Sequence, residues 1–172
     1  MLSNDNKNVV LIGMPGVGKS TVGVLLAKHL GYSFLDTDIL IQAAEGKTLQ
    51  QLIQKQGISG FCDLEEEYIL SVSVSSHVIA TGGSVIYGKA AMRHLKTGAI
   101  AIHLDLSLGG LKKRLGDLDA RGVAIAPGRD LADLYAERQP LYLKYADHTV
   151  DTGTLKPGTV VRQIIALLTD IS

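Results

Sequence analysis

Gly13-Met14-Pro15-Gly16-Val17-Gly18-Lys19-Ser20 fits the pattern G-x-x-x-x-G-K-[ST] of a phosphate-binding P-loop, and its flanks decide the fold. Before it, Val9-Val10-Leu11-Ile12 is a β-branched apolar run that reads as a buried strand. After it, Val22, Leu25, Leu26 and Leu30 recur as one face of a helix. Phosphate binding needs strand, glycine loop and helix start in this order. The glycines let backbone N–H groups turn onto phosphate oxygens, and the helix N-terminus adds the positive end of its dipole. Lys19 then reaches the β- and γ-phosphates, and the Ser20 hydroxyl holds Mg²⁺. An ordinary glycine turn is the alternative; the fixed glycines, lysine and serine in this context weigh against it. A nucleoside triphosphate with magnesium is the expected ligand.

Working outward, strand-like runs alternate with helical patterns. The strand candidates are Val9–Ile12, Ser33–Leu35, His77–Ala80, Ala99–Leu104 and His148–Val150. Thr48 and Gln51 form a capping box ahead of Leu49, Leu52 and Ile53. Phe61, Leu64, Tyr68 and Val72 keep helical spacing, as do Leu108, Leu111 and Leu115. Leu131, Leu134 and Tyr135 come next, and the last helix carries Val160, Val161, Ile164, Ile165 and Leu168. This alternation predicts an α/β fold, a parallel sheet with helices on both faces. Ligands in such sheets bind beyond the carboxyl ends of the strands. The P-loop, Asp36-Thr37-Asp38 and Thr81-Gly82-Gly83 all lie at such ends.

The 172 residues fit one domain, with 17 basic and 17 acidic side chains. Zero net charge, few aromatics and no basic block argue against a nucleic-acid partner. No apolar run approaches the about 18 residues needed to span a bilayer. The polar N-terminus lacks the apolar core of a signal peptide. The single cysteine, Cys62, suits a reducing compartment. The expectation is a cytoplasmic, monomeric protein acting on a small molecule, without membrane or nucleic acid.

Residues 116–128 carry Asp117, Asp119, Gly122, Pro127 and Gly128, which break any helix, with Arg121 in their midst. They read as a lid or as a tolerated surface insertion. Asp36 and Asp38 at the end of an extended strand would point to one side, one toward a metal shell and one toward an acceptor hydroxyl. A helix N-cap at Asp38, before Ile39-Leu40-Ile41, is the other reading.

With Phe34-Leu35-Asp36-Thr37-Asp38, Phe61-x-x-x-Glu65, Ala80-Thr81-Gly82-Gly83, Arg121 and Arg138-Gln139-Pro140-Leu141-Tyr142 added to Gly13–Thr21, the chain resembles the shikimate kinase family. The resemblance runs from about Val9 to the final helix. It implies a three-layer α/β/α P-loop fold with a five-stranded parallel sheet, a lid loop over 116–128 and an acceptor-binding helical region over 39–74. It further implies transfer of the ATP γ-phosphoryl to the 3-hydroxyl of shikimate, in aromatic amino-acid biosynthesis. Carried over by position, Gly13, Gly16, Gly18, Lys19, Ser20 and Thr21 bind the phosphates. Asp36 approaches Mg²⁺ through water. Asp38 binds ring hydroxyls and is the candidate base. Gly82 and Gly83 offer N–H groups, Arg121 is the lid arginine, Arg138 binds the acceptor carboxylate, and Arg114 and Pro157 sandwich adenine. For Arg114, a solvated surface charge is the competing reading.

The chain departs from the family's pattern around the acceptor. Phe61-Cys62 stands where the family has Phe-Arg, Ser84 where it has a third glycine, and Arg121-Gly122-Val123-Ala124 where it has Arg-Pro-Leu-Leu. Losing a charged hydrogen bond costs about 1.5–3 kcal/mol, roughly 10- to 100-fold in affinity. Lys55 and Lys89 are the candidate replacement cations by neighbourhood in sequence. The expectation is a kinase for shikimate; the alternatives are another small hydroxy acid or polyol, and a nucleotide-binding module without turnover.

Overall fold

β1 (Asn8–Ile12) runs through the centre of the sheet, and Val9, Val10, Leu11 and Ile12 are all buried. A strand covered on both faces has no solvent side on which to place polar residues, hence the uniform apolar run. The computed structural model describes residues 7–115, 123, 125–126 and 128–169. After β1 come α1 (Lys19–Leu30), β2 (Ser33–Asp36), α2 (Thr37–Glu45), α3 (Leu49–Ser71) and β3 (His77–Ala80). A short 3₁₀ turn (Val85–Tyr87) leads to α4 (Lys89–Lys96), β4 (Ala99–Asp105), α5 (Leu108–Leu115), α6 (Leu131–Tyr145), β5 (His148–Asp151) and α7 (Pro157–Thr169).

The five strands form one parallel sheet in the order β2-β3-β1-β4-β5. All five expected strands are present, four of them one residue longer at one end. Right-handed crossovers put α1 and α7 on one face and α3, α4 and α6 on the other; α1 packs on α7, and α3 on α4. Because β2, β3 and β1 are neighbours, their carboxyl ends open onto one rim. Ala80 is in register with both Leu11 and Asp36. Sheet order therefore brings the P-loop, the Asp36–Asp38 turn and the Thr81–Ser84 loop together.

One detail differs from the sequence reading. The D-x-D pair is not extended throughout: α2 starts at Thr37, so Asp36 ends a strand while Asp38 lies in the first helical turn. The cap is Asp36, whose Oδ1 accepts the N–H groups of Asp38 at 3.0 Å and Ile39 at 3.2 Å. The two helical patterns between Leu49 and Val72 are both present, as two helical segments within α3 broken at Gly57 (φ 74°, ψ 176°). Its capping box is present, with Gln51 N–H on Thr48 Oγ1 and Thr48 N–H on Gln51 Oε1. Around this helix, Ile41, Leu52 and Phe61 form an apolar cluster separate from the main core.

No helix among the described residues is long and apolar enough to cross a membrane. Arg121 and most of the segment read as a lid (116–122, 124 and 127) lie outside the described residues.

The backbone at Gly57 lies where essentially only glycine is stable, and another residue there costs about 1–3 kcal/mol. Gly57→Ala is expected to lower the melting temperature by about 2–4 °C per kcal/mol lost. An unchanged thermal midpoint would show that the helix accommodates the side chain.

Candidate active site

At the turn out of β1, Gly13 has φ 145°, and a Cβ there would lie 2.5 Å from the Leu104 carbonyl oxygen. Only glycine lets the P-loop pass this close to β4. Gly18 then caps α1 in the left-handed conformation with no side-chain acceptor, and the first turn holds no acidic residue. Among the described residues no side chain caps the opening N–H groups of α1, which leaves them to an anion. Lys19 folds into the loop, donating to the carbonyls of Gly13 at 2.7 Å and Met14 at 2.9 Å. The residue is only 8% exposed. Burial pulls its pKa down to about 8, against the opposing pull of Asp38.

Ser20 Oγ donates to Asp36 Oδ2 at 2.5 Å, so a hydroxyl and a carboxylate stand side by side below the phosphate loop. These hard oxygens fit a Mg²⁺ ion that takes its remaining ligands from phosphate and water. Among the described residues no cluster of three or more His, Cys, Asp or Glu could hold a metal by itself. The donor set therefore suits a metal arriving with a nucleotide.

Two cavities meet at the P-loop. One, of about 340 Å³, lies among Val17, Thr21, Arg114, Leu155, Pro157 and Val160. It joins Arg114 and Pro157, the pair assigned by resemblance to adenine. Arg114 is not a loose surface charge: it donates to the carbonyls of Val17 at 3.0 Å and Gly153 at 3.1 Å. Those bonds fix the guanidinium on the cavity wall.

The second cavity, of about 450 Å³, is lined by Lys19, Ser20, Asp38, Phe61, Thr81–Ser84 and Arg138, among others. It holds the expected acceptor residues. Arg138 is 2% exposed. Its Nε donates to Tyr87 Oη at 3.1 Å, and its guanidinium lies 5.2 Å from the centre of that ring. Tyr142 Oη donates to the Gly83 carbonyl at 2.6 Å, fastening the loop to α6. The Gly82 N–H is committed to Thr37 Oγ1 at 3.2 Å, so this expected donor is engaged by the protein itself. Among the described lining residues, Lys19 and Arg138 are the cations; neither Lys55 nor Lys89 lines the cavity.

Asp38 Oδ1 is buried without a partner among the described residues. Burial raises the Asp38 pKa to about 6, with Lys19 opposing. Glu65, which stands out in the sequence only as part of a motif, is as central. It is 2% exposed, accepts from Ser84 Oγ at 2.6 Å, and leaves Oε1 unpartnered. Burial raises its pKa to about 7, with the Ser84 hydrogen bond opposing. In the run Glu65-Glu66-Glu67 only helical phase singles it out: Phe61, Glu65 and Ile69 share the buried face at four-residue spacing. Thr81 and Phe61 also line the cavity, and Thr37 supports it through the Gly82 N–H; the sequence motifs contain all three without giving them a role.

Because its folded pKa lies above the ordinary 4.5, Glu65 contributes stability that is complete below about pH 4.5. This contribution is lost as pH rises through 7, when a charge must be buried. Glu65→Gln removes that charge and keeps an acceptor for Ser84. The variant is expected to melt several degrees above the wild type at pH 8, with the gain shrinking toward pH 5. Thermal melts at both pH values check this; an equal gain at each would assign the effect to packing.

Known proteins share this chain's sequence pattern and fold. A family model described as "Shikimate kinase" matches residues 15–169. A shikimate kinase of Thermodesulfovibrio yellowstonii is 38% identical over 162 residues, covering 92% of this chain and 93% of that protein. A solved shikimate kinase of Acinetobacter baumannii, in complex with shikimate, superposes with a TM-score of 0.88 at 29% identity, covering 96% and 94% of the two chains. That of Aquifex aeolicus gives 0.80 at 32% identity, covering 95% and 96%. With this phosphate loop, this sheet order and a match across nearly its whole length, the chain belongs to the shikimate kinase family.

Proposed function

We propose that this protein transfers the γ-phosphoryl group of ATP to the 3-hydroxyl of shikimate, acting as one kinase domain. The observation that carries this reading is the meeting of two cavities at the P-loop, with Asp38 at the acceptor side of the junction. ATP lies with its base between Arg114 and Pro157 and its phosphates on the P-loop N–H groups and Lys19. Ser20 and Asp36 hold Mg²⁺, which neutralises charge on the phosphates when bound. Arg138 takes the acceptor carboxylate, with Gly83 beside it.

Asp38 orients the acceptor hydroxyl and accepts its proton. A carboxylate of pKa about 6 is ionised at neutral pH and still basic enough to take a proton in the transition state. The acceptor oxygen forms its bond to the γ-phosphorus as the bond to the ADP oxygen breaks. Lys19 stabilises the transferring charge. By their match to the family pattern, Arg121 and residues 116–128 are assigned the role of a lid, with Arg121 meeting the transferring phosphate. The acceptor region over 39–74 supplies the opposite wall. Zero net charge accords with a small-molecule partner rather than nucleic acid.

A different hydroxy acid or a polyol is the second reading, favoured by one observation: position 62 holds a thiol where the family resemblance has an arginine, and Lys19 and Arg138 are the cations among the described residues lining the cavity. ADP release from MgATP, titrated with shikimate and in parallel with quinate and gluconate, separates the two. Saturable turnover on shikimate is expected; silence on shikimate with turnover on another acceptor would replace this reading by the second. Asp38→Asn is expected to lower kcat about 100-fold or more. Arg138→Ala is expected to raise the acceptor KM about 10- to 100-fold with little effect on the KM for ATP. Full turnover by Asp38→Asn, or an unchanged acceptor KM in Arg138→Ala, would move these roles elsewhere.

A further inference from the structure

The second half of α3 is fastened to the loop after β3 and to the start of α4 by two consecutive glutamates. Glu65 Oε2 accepts from Ser84 Oγ at 2.6 Å, with both residues buried. Glu66 Oε1 accepts the N–H groups of Ala90 at 2.9 Å and Ala91 at 3.0 Å, capping α4 where Gly88 has no side chain to do so. The first of these bonds decides how the acceptor cavity is built. It spends one Glu65 oxygen on Ser84 and turns the other, Oε1, toward Gly82. A Cβ on Gly82 would lie 2.3 Å from Glu65 Oε1 and 2.8 Å from Asp38 Oδ1. Both oxygens are buried and have no partner among the described residues, so two carboxylates converge on one small space.

A buried carboxylate needs a donor. Glycine or alanine at position 84 would leave Glu65 Oε2 without one. Position 62 lies one helical turn before Glu65, at the i, i+3 spacing that suits an ion pair. Cys62 is close enough to feel the charges of both Glu65 and Arg138. A cation there would reach the Glu65 carboxylate, but the thiol supplies none.

We infer that Ser84 is the positioning residue of the acceptor cavity and stands in for a cation at position 62. Its hydroxyl fixes Glu65 so that the acceptor's hydroxyls meet the oxygens of Glu65 and Asp38, while the acceptor's carboxylate rests on Arg138 alone. This rests on the shikimate kinase reading for the identity of the acceptor, but not for the fastening itself. Positions 62 and 84 then form an exchangeable pair, either of which can hold Glu65.

The test compares Ser84→Ala, Cys62→Arg and the double variant with the wild type. Two readouts are taken: KM and kcat with shikimate and ATP, and hydrogen exchange of residues 58–71 in the protein without ligands. Ser84→Ala is expected to raise the shikimate KM about tenfold or more while the KM for ATP stays within about twofold. Faster exchange in 58–71 should accompany it. Cys62→Arg is expected to restore most of both losses in the Ser84→Ala background, and to change acceptor KM less in the wild-type background. Unchanged KM and exchange in Ser84→Ala, or strictly additive effects in the double variant, would overturn the inference. If the wild type does not turn over shikimate, the proposed function fails and exchange alone decides the fastening: loss in Ser84→Ala with recovery in the double variant supports it, and no loss overturns it.

Discussion

The site is organised around one buried ammonium. Lys19 sits under the P-loop with Gly13 and Met14 carbonyls as its hydrogen-bond partners. Carbonyls satisfy its donors but do not neutralise its charge. That charge is what the surrounding carboxylates answer: Asp38, Asp36 and Glu65 all favour its protonated form. It also holds down the Asp38 pKa against burial, keeping that carboxylate ionised above about pH 6. Taking Lys19 away would leave Asp36, Asp38 and Glu65 without the positive charge that offsets their burial and mutual repulsion. The nucleotide side and the acceptor side thus share one charge, a physical reason for placing both cavities on the same loop.

The sheet delivers these groups without any need for long-range coincidence. β2, β3 and β1 are neighbours in register, so the segments leaving their carboxyl ends emerge at nearly the same height. The P-loop brings the cation, the β2–α2 turn brings Asp36 and Asp38, and the β3 loop brings Gly82 to Ser84. α6 closes the far side with Arg138 and Tyr142, the latter bonded to the Gly83 carbonyl.

The strands and the phosphate loop were legible in the sequence because each rests on local information. A buried parallel strand must be apolar throughout, and the glycine–lysine–serine spacing is dictated by the shape of a phosphate. Which of Asp36 and Asp38 caps α2 was not legible, because both sit at plausible cap positions and the helix start moved the answer by two residues. Glu65 looks like part of a solvated acidic run until its phase with Phe61 and Ile69 is counted. The pairing of Ser84 with Glu65 depends on how α3 lies against the β3 loop, and no single sequence window contains both. Arg114 likewise gained its meaning from contact: its bonds to Val17 and Gly153 join segments 97 and 39 residues away.

The small apolar cluster of Ile41, Leu52 and Phe61 has a consequence for how such a protein can diversify. It is separate from the core that supports the sheet and the P-loop. Side chains in this cluster can be exchanged with little strain passed to the nucleotide half, since packing effects fade between residues that share no neighbours. Mutational change can therefore reshape the wall beside the acceptor while leaving phosphate binding intact. A lineage carrying this architecture can explore new acceptors by small steps, each of them still a folded ATP-binding protein.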